Sequence, residues 1–587
     1  MDSSVELTQF AEHQRAPRWA PVLICIALTA LTLIVFAQTF SFKFLNFDDN
    51  LFISENQRLT QGLSAKGVAW AFTANLTHHD PTAEYWEPLT LISRLADVQF
   101  AGMDAGAHHR TNVLLHLVAG LVLFGAVRAL LRSDVKAAII AALFLIHPLH
   151  VEPVAWLSAR KDVMNGLFFF ATIWAYTWYA ALPSWRRYAL VFLAFLGANM
   201  AKPMAVSLPF VLLLLDHWPL RRLRPPLLDR ASLRVIVEKL PLLLVAVAVA
   251  LLAMVDQRQH GAIGDDILYP LSVRLGNAAI SFWAYLCQTV LPVNLAIYYP
   301  HPGRALNWTV AAPGVVGLIL VVLLCIQQAN RRPWLLVGFG WFAIVLLPVS
   351  GVVQIGEMAR ADRYTYVALV GIFLLVVEQL SEWPGARSRR SHSRNETVLA
   401  GGLTIAALVA LTSVSYAQTQ TWPDSITVFG HAVAVTSDNY IAQANLGAAL
   451  FDAGDQRAGR EHHREAIRIH APVLQFHRTS GFEVERRRDF AAAIQHYGKF
   501  LTVVPWDSEV RQRLGGVLLE TGEYGTALAQ YNEALRYERD AIPPRIGIAR
   551  ALIAQRRFAD ARGLLDRILQ QDAENHEAQE LLRTIRE

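Results

Sequence analysis

The sequence predicts an all-α chain in two parts: a polytopic membrane helical bundle with about eleven crossings, then a C-terminal helical-repeat solenoid. Three observations carry this. Apolar, uncharged runs approaching the ~20 residues needed to span a bilayer recur through the first 420 positions. Lys and Arg gather in short turns between those runs. Beyond residue 438 the chain becomes polar and repeats with a period of 34. With 54% hydrophobic residues among 587 and a mean hydropathy of +0.31, the composition is not that of an ordinary soluble protein.

The candidate spans, in order, are 20–40, 111–131, 136–147, 164–182, 188–201, 204–216, 235–255, 308–327, 334–350, 364–380 and 397–416. The first is too long for a signal-peptide core and lacks a clear small-residue cleavage site, so it reads as an anchor. A further apolar segment, 272–292, either crosses or is re-entrant. Cys25, Cys287 and Cys325 all lie in apolar stretches and imply no disulfide framework. The net charge of +5 comes largely from loops and forms no nucleic-acid patch.

Orientation follows from the basic loops. Arg15 and Arg18, with the turns Arg132–Lys136, Arg186-Arg187, Arg221–Arg230, Arg331-Arg332 and Arg387–Arg394, belong on the cytoplasmic side. All fit there only if 272–292 does not cross as a single helix. The opposite face then holds loops 41–110 and 147–163, Lys202, and segments 256–307 and 351–363. The C-terminus lies on that face too, which for a bacterial inner-membrane protein is the periplasm.

Residues 1–420 thus read as the membrane domain, 421–438 as a linker and 439–587 as the repeat domain. Asn439, Val473, Asp507 and Ala541 begin equivalent blocks. Gly447, Gly481, Gly515 and Ala549 share one repeat position, and Tyr497 matches Tyr531. This pattern resembles a tetratricopeptide repeat array of four helix pairs with a closing helix near 575–587. Such solenoids bind a protein or peptide segment and seldom do chemistry.

The extracytoplasmic loops carry the chemistry. Asp48 and Asp49 follow the first span in Phe44-Leu45-Asn46-Phe47-Asp48-Asp49-Asn50. Next come Tyr85-Trp86-Glu87-Pro88-Leu89-Thr90, then His108-His109-Arg110. The second loop holds His147-Pro148-Leu149-His150-Val151-Glu152 and Arg160-Lys161-Asp162. Lys202 lies between two apolar segments, and Arg360-Ala361-Asp362-Arg363-Tyr364 closes the set. A charge within a span costs about 2.5–3.5 kcal/mol even on a lenient scale, so Lys202 should face a polar cavity or an anion.

In these elements and their order the chain resembles the membrane glycosyltransferases of the GT-C superfamily. It is most similar to the branch with C-terminal tetratricopeptide repeats, the eukaryotic TMTC O-mannosyltransferases and their bacterial relatives. The resemblance covers nearly the whole chain. It implies a polyprenyl-phosphate-sugar donor and an acceptor hydroxyl, often on a protein. The array would recruit the acceptor protein or a partner enzyme, and membrane lipid would surround the bundle.

The expected chemistry is an inverting transfer. A polyprenyl phosphate leaves readily, so one carboxylate, Asp48 or Asp49, suffices to take the proton from the attacking hydroxyl. Arg160, Lys161, Lys202, Arg360 and Arg363 are the cations that could hold the phosphate. Glu87 is a candidate second carboxylate, and His109 could reach the acceptor. The residues establish no cofactor and leave a divalent metal open, since His147-x-x-His150-x-Glu152 offers ligand types that suit zinc or manganese. Each has a plainer alternative: a solvated loop or helix cap for the aspartates, headgroup contact for Arg160-Lys161, interfacial hydrogen bonding for the histidines. The competing reading of the whole chain is a non-catalytic membrane-anchored scaffold that organises an envelope complex.

Overall fold

The computed structural model describes residues 19–76, 80, 82–83, 85–223, 229–259, 269–382 and 394–586. Arg15, Arg18 and most of the basic turn 387–394 lie outside the described residues. The chain divides into two units, Met1–Val435 and Thr436–Glu587.

The first unit is built from apolar helices. Among the described residues six are long and apolar enough to cross a membrane: Ala20–Ser41, Ala105–Leu131, Arg230–Gln257, Trp308–Gln328, Asp362–Ser381 and Leu399–Thr419. Asp134–Ile146 and Pro148–Ala155 make a seventh if the pair, bent by 56°, counts as one span. Pro148 causes the bend, because it has no N–H to continue the ladder and its ring clashes with the preceding turn. The other expected spans are also helices, but they are less able to cross alone. Pro203–His217 and Pro333–Val349 are short, Trp185–Ala201 has 17 residues, and Arg160–Ala181 begins with three charged residues.

Leu271–Val290 is one continuous helix, yet both its ends meet the same layer. Near its start Arg274 donates to the Val352 carbonyl at 3.0 Å and Asn277 to the Ala359 carbonyl at 2.9 Å. Near its end Tyr285 bonds the Ala361 carbonyl, and the Thr289 carbonyl pairs with His147 Nε2 at 3.0 Å. Tyr299–Pro300 then pairs antiparallel with Met358–Arg360, with Tyr299 opposite Arg360. The partners at both ends of the helix thus come from the segment 352–361 and from His147.

Close helix packing holds that layer in place. A Cβ on Gly338 would sit 2.6 Å from the Gly371 carbonyl oxygen and 2.6 Å from Leu375 Cβ. Small residues let two membrane helices approach backbone to backbone. This contact fixes the helix Thr365–Ser381, whose first turn follows Asp362 and Arg363.

Residues 421–438, read as a linker, are mostly helix: Ser425–Val435 buries Val428, Phe429 and Ala432 on one face.

In the second unit the 34-residue period appears as paired helices. Asn439, Asp455, Asp489 and Asp507 cap helix starts, each side chain accepting from a backbone N–H three residues on. The repeated glycines make room for rings. A Cβ on Gly481 would lie 2.5 Å from Tyr497, and one on Gly515 2.6 Å from Tyr531. One junction departs from the expected pairs. Gln456–Arg486 is a single 31-residue helix running through the boundary near 473. Val473 stands where Asn439 and Asp507 cap their helices, so nothing terminates the preceding turn, and Pro472 is absorbed within the helix.

Replacing Gly338 with Val should force the helices Pro333–Leu346 and Thr365–Ser381 apart. The overpacking cost should be about 1–3 kcal/mol, read as a lower thermal unfolding temperature in detergent.

Candidate active site

The two adjacent aspartates have different surroundings. Asp49 is buried and fully engaged. Its Oδ1 accepts from the Ser158 backbone N–H at 2.9 Å and from the Ser158 hydroxyl at 2.6 Å, and its Oδ2 accepts from the Leu45 N–H at 3.0 Å. It ties the loop after the first helix to the segment preceding Arg160–Ala181. Trp156 reinforces that tie by donating to the Phe47 carbonyl at 3.1 Å and stacking on the Phe47 ring at 5.4 Å. Burial pushes the Asp49 carboxyl up to about 6, against the hydrogen bonds from Ser158 and Leu45.

Asp48 is half-buried, and its carboxylate accepts no hydrogen bond among the described residues. Its backbone is left-handed, with φ of 66°. That conformation is costly for a residue with a Cβ, and such outliers cluster at functional sites. A π-helical turn, Asn50–Ser54, follows directly. Burial raises the Asp48 carboxyl above the usual range, while the charges of Lys161, Arg363 and Arg94 pull it back.

Around Asp48 the fold assembles acids and cations from distant segments. Lys202 Nζ bonds Asp162 Oδ1 at 2.6 Å. Arg363 pairs with Glu152 through its guanidinium, and its backbone N–H donates to the same carboxylate at 2.7 Å. Arg94 lies 3.7 Å from Glu87, and both are buried. Lys161 stands 5.5 Å over the Tyr85 ring. Burial lifts Glu87 to about 7, countered by Arg94 and Lys202, and neither of its oxygens accepts a hydrogen bond among the described residues. Burial likewise raises the Tyr85 hydroxyl, so it stays protonated.

Local structure explains these placements. Asn165 donates to the carbonyls of Ala198 and Lys202 at 3.0 and 3.1 Å, which pins the end of Trp185–Ala201 and presents Lys202. Thr90, in the first turn of Pro88–Ala101, donates to the Ala201 carbonyl at 3.0 Å and docks the Glu87 segment on the same corner. A cavity of about 220 Å³ opens there. Tyr85 and Lys202 form part of its wall, and Val206, Ala253, Met254 and Val349 contribute apolar surface.

Other expected residues are engaged elsewhere. Arg160 is fully buried and gives its donors to Asn112 at 2.6 Å, Asp97 at 2.6 Å and the His108 carbonyl at 2.9 Å. Its guanidinium thus holds helices together, unlike that of a cation open to a phosphate. His109 is buried against Phe42, with ring centroids 5.9 Å apart. Arg360 covers the Tyr299 ring at 4.0 Å. His147, His150 and Glu152 do not converge on a metal site. His147 bonds the Thr289 carbonyl, His150 bonds the Phe144 carbonyl at 2.7 Å, and Glu152 holds Arg363. Among the described residues no group of three or more His, Cys, Asp or Glu could hold a metal ion. The His-x-x-His spacing straddles the proline bend, which sends the two rings to different partners.

Sequence reasoning missed Arg94 and left Asp162 without a role. Arg94 lies inside a helix seven residues after Glu87, two turns along the same face, and that spacing was the available signal.

This arrangement defines a multispanning helical membrane protein with a charged centre at the ends of its helices and a tetratricopeptide repeat domain. The tetratricopeptide repeat family matches residues 484–543 and 518–585. The chain is similar to TMTC proteins. It is 30% identical over 149 residues to Protein O-mannosyl-transferase tmtc2 of Xenopus laevis, covering 25% of this chain and 18% of that protein. It is 23% identical over 503 residues to human Protein O-mannosyl-transferase TMTC4, covering 75% of this chain and 65% of that protein. The chain thus spans less than two thirds of the length of either relative. Among solved structures, ArnT from Cupriavidus metallidurans bound to undecaprenyl phosphate aligns over 85% of this chain and 81% of its own. The identity is 13% and the TM-score 0.34, a likeness too slight to carry an argument.

Asp49→Ala would orphan three buried donors at about 1–3 kcal/mol each. Thermal unfolding in detergent should show a large loss for Asp49→Ala and little change for Asp48→Asn. Glu87→Gln should report on pH: a buried carboxyl raised to about 7 favours the fold below its unfolded value near ~4.3. That advantage is lost as pH rises from about 4.3 to about 7, so wild type should lose stability relative to Glu87→Gln across that window and little beyond it.

Proposed function

We propose that the protein is a membrane glycosyltransferase that moves a sugar from a polyprenyl-phosphate donor to an acceptor hydroxyl, on a protein Ser or Thr. The observation that carries this reading is Asp48. It is a strained, half-buried carboxylate without a hydrogen-bond donor among the described residues, and cations that could accept a phosphate surround it. The cavity beside Lys202 and Tyr85 suits the first isoprene units of the donor. The names of the relatives add support, since each is an O-mannosyl-transferase.

In the proposed step the acceptor oxygen attacks the anomeric carbon on the face opposite the phosphate. The bond from that carbon to the phosphate oxygen breaks, and its electron pair leaves with the phosphate. The acceptor proton passes to the Asp48 carboxylate, and the anomeric configuration inverts. Lys161, Lys202 and Arg363 take up the charge on the departing phosphate. Their partners Asp162 and Glu152 keep two of these cations in place before substrate arrives. Asp49 positions the loop and takes no proton. By the charge rule for loops the repeat domain is extracytoplasmic, where it would recruit the acceptor. A scaffold would need no such buried charge around an open carboxylate.

Assay of the purified full-length protein with polyprenyl-phosphate sugars tests the reading. Asp48→Asn should lower kcat by about 10²–10⁴-fold, and turnover equal to wild type would overturn it. The base must be ionised, so kcat/KM should fall on acidification with a midpoint above ~3.9, the ordinary aspartate value. Ala253→Trp, which fills the apolar cavity, should raise KM for long-chain donors more than for a two-isoprene donor.

A further inference from the structure

The fused helix Gln456–Arg486 gives the repeat domain a feature that the 34-residue pattern does not predict. Because no turn separates the first repeat from the second, the end of the first repeat's opening helix reaches the end of the third repeat. The Phe451 and Tyr537 rings lie 5.9 Å apart, and Arg536 pairs with Asp452. Between these parts is a cavity of about 330 Å³. Trp506, stacked on His463 at 3.7 Å, forms one wall with Tyr537 and Phe451.

The cavity also carries a charge imbalance. Arg460 and Arg464 line it one helical turn apart, on one face of the fused helix. Neither has a carboxylate partner among the described residues, whereas Arg457 and Arg468 on the same helix pair with Glu461 and Glu465. Glu538 is the one carboxylate in the lining, so two guanidinium groups face a single acid. Arginine forks accept a carboxylate with two parallel hydrogen bonds, and the neighbouring aromatic walls suit an apolar or aromatic side chain.

We infer that this cavity is a docking site for an acidic, aromatic-containing peptide segment of a partner protein. The carboxylates would meet Arg460 and Arg464, and an aromatic side chain would enter between Trp506 and Tyr537. The inference deepens the reading of the array as the recruiting part, and its test reads binding alone, without sugar transfer. Loss of transfer with docking intact would therefore overturn the enzyme and leave this site standing.

Fluorescence anisotropy on the full-length protein in detergent supplies the test. The probe is a labelled peptide of alternating glutamate and phenylalanine, compared with lysine–phenylalanine and glutamate–alanine versions. The glutamate–phenylalanine peptide should bind most tightly, and added salt should weaken it. The double variant Arg460→Glu, Arg464→Glu should weaken binding at least about tenfold. Arg457→Glu, outside the cavity, should leave it unchanged. Both arginines are exposed, so the double variant should keep the wild-type circular dichroism. Trp506→Ala should weaken binding of the phenylalanine peptide more than that of the alanine peptide. Equal binding of the lysine peptide, or full affinity in the folded double variant, would overturn the proposal.

Discussion

A charge removed from water needs a counter-charge, and the centre of the membrane unit is arranged around that requirement. Burying an unpaired ion costs several kcal/mol. The fold meets the cost by pairing Glu152 with Arg363 and Asp162 with Lys202, and meets it only in part at Glu87, which lies 3.7 Å from Arg94 and accepts no hydrogen bond among the described residues. The Glu152–Arg363 and Asp162–Lys202 pairs also join distant segments: Glu152 sits on the short helix after the proline bend and Arg363 at the start of the helix held by the Gly338–Gly371 contact, while Asp162 in the first turn of Arg160–Ala181 holds Lys202 at the end of Trp185–Ala201. Arg363 and Lys202 are thereby fixed at helix ends, and the charges of Lys161, Arg363 and Arg94 act on Asp48.

The two aspartates divide the labour. Asp49 accepts three hydrogen bonds and anchors the turn to Ser158. That anchor lets the chain hold Asp48 in the left-handed region, where its carboxylate stands clear of backbone donors. The strain at one residue is sustained by the satisfied bonds of the next.

Much of the fold was legible in the sequence. Apolar run length marked the helices, and the period of 34 marked the repeats, because bilayer thickness and repeat packing are local rules. The roles of neighbouring residues were less legible, because long-range partners decide them. Asp48 and Asp49 are chemically identical and differ through Ser158, over 100 positions away. Arg160 and Lys161 are adjacent, but helical rotation turns Arg160 toward Asp97 and Asn112 and Lys161 toward the Tyr85 ring. The His147-x-x-His150 spacing suggested a metal, and the two rings do lie 5.9 Å apart, but each bonds a different backbone carbonyl, of Thr289 and of Phe144. The fused helix at 473 was hidden because a 34-residue period records where equivalent residues fall and says nothing of whether a turn intervenes.

The central claim is that Asp48 acts on a phosphate-linked sugar held by the surrounding cations. Paired measurements on Asp48→Asn, of polyprenyl phosphate affinity and of sugar turnover, test it most directly. Removing a negative charge from beside the phosphate site should leave affinity equal or tighter while turnover collapses. Loss of affinity with turnover retained would contradict the account.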